Sequence, residues 1–143
     1  MKGKLSWPIF WALVGVFVII VSAFCIPALR DLFIGGLFIA ISGSAFFLLG
    51  VALIVLTVRE KVAGKLKKFL LLTGASATGI FVSFLLHNLI YGLLLYFFDI
   101  DFDEPFFFIM TIFVCPLGFL VGAVGTIVLA IKKKQTDTTG AVV

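Results

Sequence analysis

Charge is scarce in this chain. Only 13% of its 143 residues are Asp, Glu, Lys or Arg, while 63% are hydrophobic. An ordinary soluble domain is about 25% charged and roughly 45–50% apolar. That shortage excludes a soluble enzyme, a disordered regulator and a nucleic-acid-binding domain. Histidine occurs once, so one chain cannot build a multi-histidine metal site. Cysteine occurs twice and never as CxxC, which removes the dithiol chemistry of that motif. Read as helical positions, Cys25 and Cys115 differ in depth by about 7–8 Å, and a disulfide tolerates Cα separations up to about 7 Å. No bridge is expected. No cofactor is implied.

What is present is hydrophobicity in blocks, with a mean hydropathy of +1.32. Four apolar runs cover Pro8–Leu29, Leu32–Val58, Phe69–Phe98 and Pro105–Ile131, each of 22 residues or more. About 20 residues suffice to cross ~30 Å of hydrocarbon as a helix. Lipid gives the backbone no hydrogen-bond partners, so each run is expected to be helical. None contains Asp, Glu, Lys or Arg. This leaves out the buried carboxylate of a proton-coupled drug exporter and the charged machinery of a lipid-modifying enzyme. The third run has 30 residues, about 45 Å of helix, and must tilt, bend or protrude. The expected fold is all-α: one four-helix transmembrane domain over residues 1–131, packed as an antiparallel bundle. A basic segment and a polar, disordered tail follow over residues 132–143.

Orientation follows from charge. Ten basic residues fall on one side: Lys2, Lys4, Arg59, Lys61, Lys65, Lys67, Lys68 and Lys132, Lys133 and Lys134. The other side holds Arg30 alone. The positive-inside rule puts both termini in the cytoplasm of a multi-pass cell-membrane protein. The basic pI of 9.3 is therefore a topology signal rather than a nucleic-acid signal. Val21-Ser22-Ala23 resembles a signal-peptide cleavage site, but the apolar run continues to Leu29 and is too long for one. A lipoprotein reading of Cys25 fails because bulky Phe24 precedes it. Pro8 and Pro105 suit the first turn of a helix, where a missing N–H costs nothing. Asp103 or Glu104 suits the cap before Pro105. Trp7 and Trp11 mark the inner interface, and Tyr96 and Phe97 the outer one.

Small residues recur along every run, and in lipid they let helices approach closely. Gly36, Gly43, Gly50 and Thr57 recur every seven residues, a step that drifts only about 20° around a helix. Gly118 and Gly122 form a GxxxG. Ala12, Gly15 and Ser22 share an arc of the first run, and Gly79 and Ser83 of the third. Gly36, Gly43, Gly50, Gly118 and Gly122 are expected to lie against neighbouring helices. Pro116 is expected to kink the fourth run by freeing the carbonyl of Ile112, as a tolerated membrane proline rather than a hinge.

The third run is the most polar. Thr73, Ser76, Ser83, His87 and Tyr91 fall within an arc of about 80°, with Asn88 to one side. His87 is twelve residues before Asp99, about 18 Å along a straight helix and near the bilayer middle. Ser83, His87, Asn88 and Tyr91 form a candidate intramembrane polar site. It serves either packing or the passage of a proton or polar ligand. The stripe should face the interior, with Phe81, Leu85 and Leu89 toward lipid or an apolar neighbour. Asp99, Asp101, Asp103 and Glu104 crowd the outer connection. They resemble the start of a calcium loop, but the glycine expected at its sixth position is Glu104 and the pattern fails. A solvated, helix-capping loop is the plainer reading beside a loose cation site. The inner connection Arg59–Lys68 suits anionic lipid head groups at about 1 kcal/mol per basic residue, although topology alone accounts for it. The expected function is a non-enzymatic interaction module or accessory subunit, acting with itself or with a membrane protein partner. The alternative is a minimal oligomeric transporter or channel that uses the stripe around His87.

Overall fold

The computed structural model describes residues 5–26, 36–99 and 105–139. The side chains of Gly36, Ile39 and residues 137–139 lie outside that description. Four helical spans result, each long and apolar enough to cross a membrane. They are α1 (Ser6–Cys25), α2 (Gly36–Arg59), α3 (Gly64–Phe98) and a fourth built from two helices. In the fourth, α4 (Pro105–Ile109) continues through a π turn, Met110–Val114, into α5 (Cys115–Thr139).

The boundaries depart from the apolar runs in informative places. α3 begins five residues earlier than its run, at Gly64. Lys65, Leu66, Lys67 and Lys68 are good helix formers, and Gly64 supplies the φ of +70° at which the chain enters. The connection between the helices thus shrinks to Glu60–Ala63, and three of the five cations of Arg59–Lys68 ride on α3. The end of the fourth span is a correction. The helix does not give way to a disordered tail after Ile131 but runs to Thr139. Lys and Gln support helix as readily in water as Leu does in lipid, and Thr136 Oγ1 donates to the Lys132 carbonyl at 3.1 Å.

Pro116 is accommodated by local rewinding. The Cys115 N–H reaches back five residues to the Met110 carbonyl, so the turn before the proline holds one extra residue. The wider turn relieves the clash a proline ring makes with the carbonyl four residues earlier.

α2 ends in a Schellman motif. Val62 N–H donates to the Thr57 carbonyl and Lys61 N–H to the Val58 carbonyl, at 3.3 and 3.2 Å. Lys61 takes the left-handed conformation the motif requires, φ 50°. The motif buries Val62 in the core.

The core draws on all four spans. Phe10 and Leu13 of α1, Phe46 and Leu53 of α2, Leu70 and Ala77 of α3, and Phe119 and Ala123 of α5 form one buried cluster. Phe17, Phe46 and Phe119 stack at its centre, the closest ring centroids 4.3 Å apart. α3 packs against both α2 and α5, whereas α1 packs chiefly on α2.

Glycines set the approach of α3 to its neighbours. A Cβ on Gly50 would lie 3.0 Å from the Gly74 carbonyl oxygen, and one on Gly74 would lie 2.9 Å from that of Gly50. On α5, a Cβ on Gly122 would sit 2.8 Å from the Thr73 nitrogen, and one on Gly118 2.6 Å from Ser76 Oγ. Gly43 meets the Phe81 ring at 3.1 Å. The contacts of Gly36 lie outside the described residues. α1 is the exception among the small-residue stripes. Nothing comes within 4 Å of the Gly15 Cβ position, and Ala12 is exposed. This helix turns Phe10, Leu13 and Phe17 inward instead.

Candidate functional site: the polar stripe of α3

The stripe divides into two parts. Its inner part is spent on helix packing. Thr73, Ser76 and Ser83 are buried, and Thr73 and Ser76 sit where α5 presents Gly122 and Gly118. Thr73 Oγ1 donates to the Phe69 carbonyl at 2.9 Å, and Thr78 Oγ1 to the Gly74 carbonyl at 2.9 Å. Each hydroxyl thereby finds a partner on its own helix without widening the interface.

The outer part is more open. His87 and Tyr91 are half-buried and Asn88 is exposed. The His87 ring lies 5.7 Å from that of Phe108, tilted by 48°. Asn88 Nδ2 donates to the Phe84 carbonyl at 2.8 Å, so this amide turns to its own backbone rather than toward His87. Among the described residues, nothing on α3 beyond Ser83 is buried. Ser83 therefore belongs to the packed interior, while His87, Asn88 and Tyr91 lie beyond it. Leu85 and Leu89 are exposed. Phe81 instead packs on Gly43 and on the ring of Phe47, 5.3 Å away.

Of the outer carboxylates, Asp99 is exposed and closes α3 in the left-handed conformation, φ 53°, which Asp tolerates better than most residues. Asp101, Asp103 and Glu104 lie outside the described residues. Among the described residues, no group of three or more His, Cys, Asp or Glu gathers where a metal ion could be held. Both cysteines are free, Cys25 exposed and Cys115 buried.

The structure adds polar features that spacing did not single out. Glu60, the lone acidic residue beside five basic ones, receives two hydrogen bonds from Ser6 at the start of α1. Its isolation among cations was the available signal. Thr57 and Thr126 are fully buried, and among the described residues their hydroxyls have no hydrogen-bond partner. The pairs Gly50–Gly74 and Gly122–Thr73 align both threonines with the stretch of α3 around Phe69 and Leu70. Nothing in the sequence separates these two threonines from Thr73 or Thr78, whose hydroxyls are satisfied.

The chain matches no protein-family model, no curated protein and no solved structure.

Proposed function

We propose that this chain is a polytopic protein of the cytoplasmic membrane, an antiparallel four-helix bundle with both termini cytoplasmic. It acts as a non-enzymatic interaction module or accessory subunit. The order of contacts between α3 and α5, from Gly125–Phe69 through Gly122–Thr73 to Gly79–Cys115, supports the antiparallel reading. The charge asymmetry supports the orientation.

The observation that carries the interaction reading is on α1. Gly43, Gly50, Gly118 and Gly122 are each filled by a neighbouring helix, whereas Gly15 has open space around it. Ala12 and Ile19 flank it on the exposed side. A small-residue face on a membrane helix lets another helix approach closely, and among the described residues no helix of this chain does so at Gly15. Anionic head groups gather at the inner basic end, where Lys65, Lys68 and Lys132 are exposed.

The test is cross-linking in native membranes from a cysteine at Ala12, in a chain whose own Cys25 and Cys115 are replaced. A discrete adduct, lost on Gly15→Leu with the variant's thermal stability unchanged, supports the reading. Absence of any adduct from Ala12 or from a cysteine at Ile19 counts against it.

The alternative, a small oligomeric transporter or channel, draws on His87 beside Phe108, one turn from the π turn, since such turns recur at functional sites. Proteoliposomes carrying a pH gradient discriminate the two. A flux that depends on His87 favours transport.

A further inference from the structure

The cations at the inner end are not spread evenly around the bundle. Where those of α3 and α5 point follows from the seam between these helices. Gly122 lies against Thr73, Gly118 against Ser76 and Gly125 against the Phe69 ring.

A helix turns by about 100° per residue. On α3, measured from Phe69, Lys65 and Lys68 lie about 40° and about 100° to one side, and Leu72 about 60° to that same side. Leu70 and Ala77, both buried, lie to the other. On α5, measured from Gly122, Gly125 and Lys132 lie about 60° and about 80° to one side. Phe119 and Ala123, both buried, lie to the other. The core therefore sits on one side of the seam, and Lys65, Lys68 and Lys132 sit on the side that faces out. All three are exposed. Their heights agree as well. Lys65 is about 6 Å inward of Phe69, and Lys132 about 10 Å inward of the Gly125 that meets that ring. Lys67 falls about 160° from Phe69, on the face of α3 that Gly74 presents to α2.

Three ammonium groups on one edge repel one another. The first turn of α3 has no acidic residue and no side-chain cap, so the positive end of that helix adds to the repulsion. Of the acids at this end, Glu60 is turned to Ser6 on α1. Topology requires cations inside, but it does not require them along one seam. What lies next to them points to the partner. The apolar run of α3 begins at Phe69, directly after Lys68, and that of α5 ends at Ile131, directly before Lys132. On the same side of the seam, Leu72, Val121 and Val128 are exposed, so an apolar strip continues from the cations into the bilayer. A ligand with an anionic head and an apolar tail covers both. A soluble anion leaves the strip bare.

We propose that Lys65, Lys68 and Lys132 form a site for one anionic phospholipid of the inner leaflet. Its phosphate lies among the three ammonium groups, and an acyl chain runs along Leu72 and Val121. This rests on the membrane reading above, and it turns a diffuse attraction of head groups into one defined site at the α3–α5 seam.

The test follows the thermal midpoint of the purified full chain in non-ionic detergent. The additions are dioleoyl phosphatidylglycerol, phosphatidylcholine with the same chains, or inorganic phosphate. Phosphatidylglycerol is expected to raise the midpoint saturably, and the other two are not. Replacing Lys65, Lys68 and Lys132 together by Gln is expected to raise the half-saturating concentration about tenfold or more. Arg59→Gln, Lys61→Gln and Lys67→Gln together remove the same charge away from the seam, and are expected to change it by less than about threefold. Native mass spectrometry should retain one phosphatidylglycerol on the parent chain and on this control, and lose it from the seam variant. Equal weakening by the two triple variants overturns the site and leaves the general attraction of anionic head groups standing. A midpoint raised as much by inorganic phosphate overturns the lipid as ligand. Phosphatidylglycerol that acts no differently from phosphatidylcholine overturns both the site and the head-group reading.

Discussion

Ser6 and Glu60, 54 positions apart in the chain, are joined by two hydrogen bonds. Ser6 Oγ donates to one carboxylate oxygen at 2.6 Å, and Ser6 N–H donates to the other at 3.2 Å. The first N–H groups of a helix have no partner within it and carry partial positive charge. Leu5 supplies no side-chain cap for α1, and Glu60, just past the end of α2, takes that place. The pair joins the entry of α1 to the α2–α3 connection and shields the inner end of the core, where Val62 and Phe10 are buried.

Removing either side of this pair should loosen α1. Ser6→Ala and Glu60→Gln are each expected to lower stability by about 1 kcal/mol. The double variant should cost less than the sum of the two, because both act on one interaction. Additive effects in thermal or denaturant unfolding would contradict the coupling.

The glycines should respond in a graded way. Gly50→Ala and Gly122→Ala place a Cβ against backbone atoms and are expected to cost about 2–3 kcal/mol each. Gly43→Ala meets only the Phe81 ring, which can shift, and should cost under about 1 kcal/mol; Gly43→Leu should disturb the bundle more. Gly15→Ala meets nothing and should change stability by no more than about 0.5 kcal/mol. A Gly15 variant as damaging as Gly122→Ala would refute the packing described for α1.

Thr57 and Thr126 offer a prediction of opposite sign. Each buries a hydroxyl without a partner, a cost of about 1–3 kcal/mol. Valine keeps the shape and removes that cost. Thr57→Val and Thr126→Val are expected to raise stability by about 1 kcal/mol each, read as a higher unfolding midpoint. A lowered midpoint in either variant would mean that its hydroxyl has a partner in the folded protein.

His87 is half-buried beside Phe108. His87→Gln keeps a hydrogen-bonding group of similar reach and is expected to change stability by less than about 1 kcal/mol. Phe108→Ala removes the ring contact and should be the more damaging of the two. A pH-dependent flux in proteoliposomes that His87→Gln abolishes, with the fold intact, would move the assignment to transport.

Orientation is open to direct chemistry. In a chain lacking its own cysteines, Asp137→Cys should resist an impermeant thiol reagent on intact cells and react after permeabilisation. Labelling on intact cells would invert the topology.

Much of the architecture was legible before folding. Run length and the absence of charge define a membrane span without reference to any neighbour, so the four spans were readable residue by residue. Where a helix stops is also a local matter once the runs give out. Even so, charge at Lys132–Lys134 does not end the helix, because lysine supports a helix well whether or not the apolar run continues. The turn before Pro116 was foreseeable as a disturbance, but its form was not. A proline signals that one hydrogen bond is lost, and the surrounding packing decides how the chain absorbs the loss.

Facing is what the chain alone leaves open. Gly15 and Gly43 look alike in sequence, each a glycine in an apolar helix, yet one is open and the other touches Phe81. Thr57 and Thr73 are likewise both buried threonines, but only Thr73 has a bonded hydroxyl. His87, which twelve residues of spacing placed near the bilayer middle, lies beyond the last buried residue of α3, since the packed core ends at Ser83. Hydropathy and charge belong to single residues and act against the solvent, so linear order is enough to read them. Contact, burial and hydrogen bonding belong to pairs brought together by packing, and only the arrangement of the four spans creates those pairs.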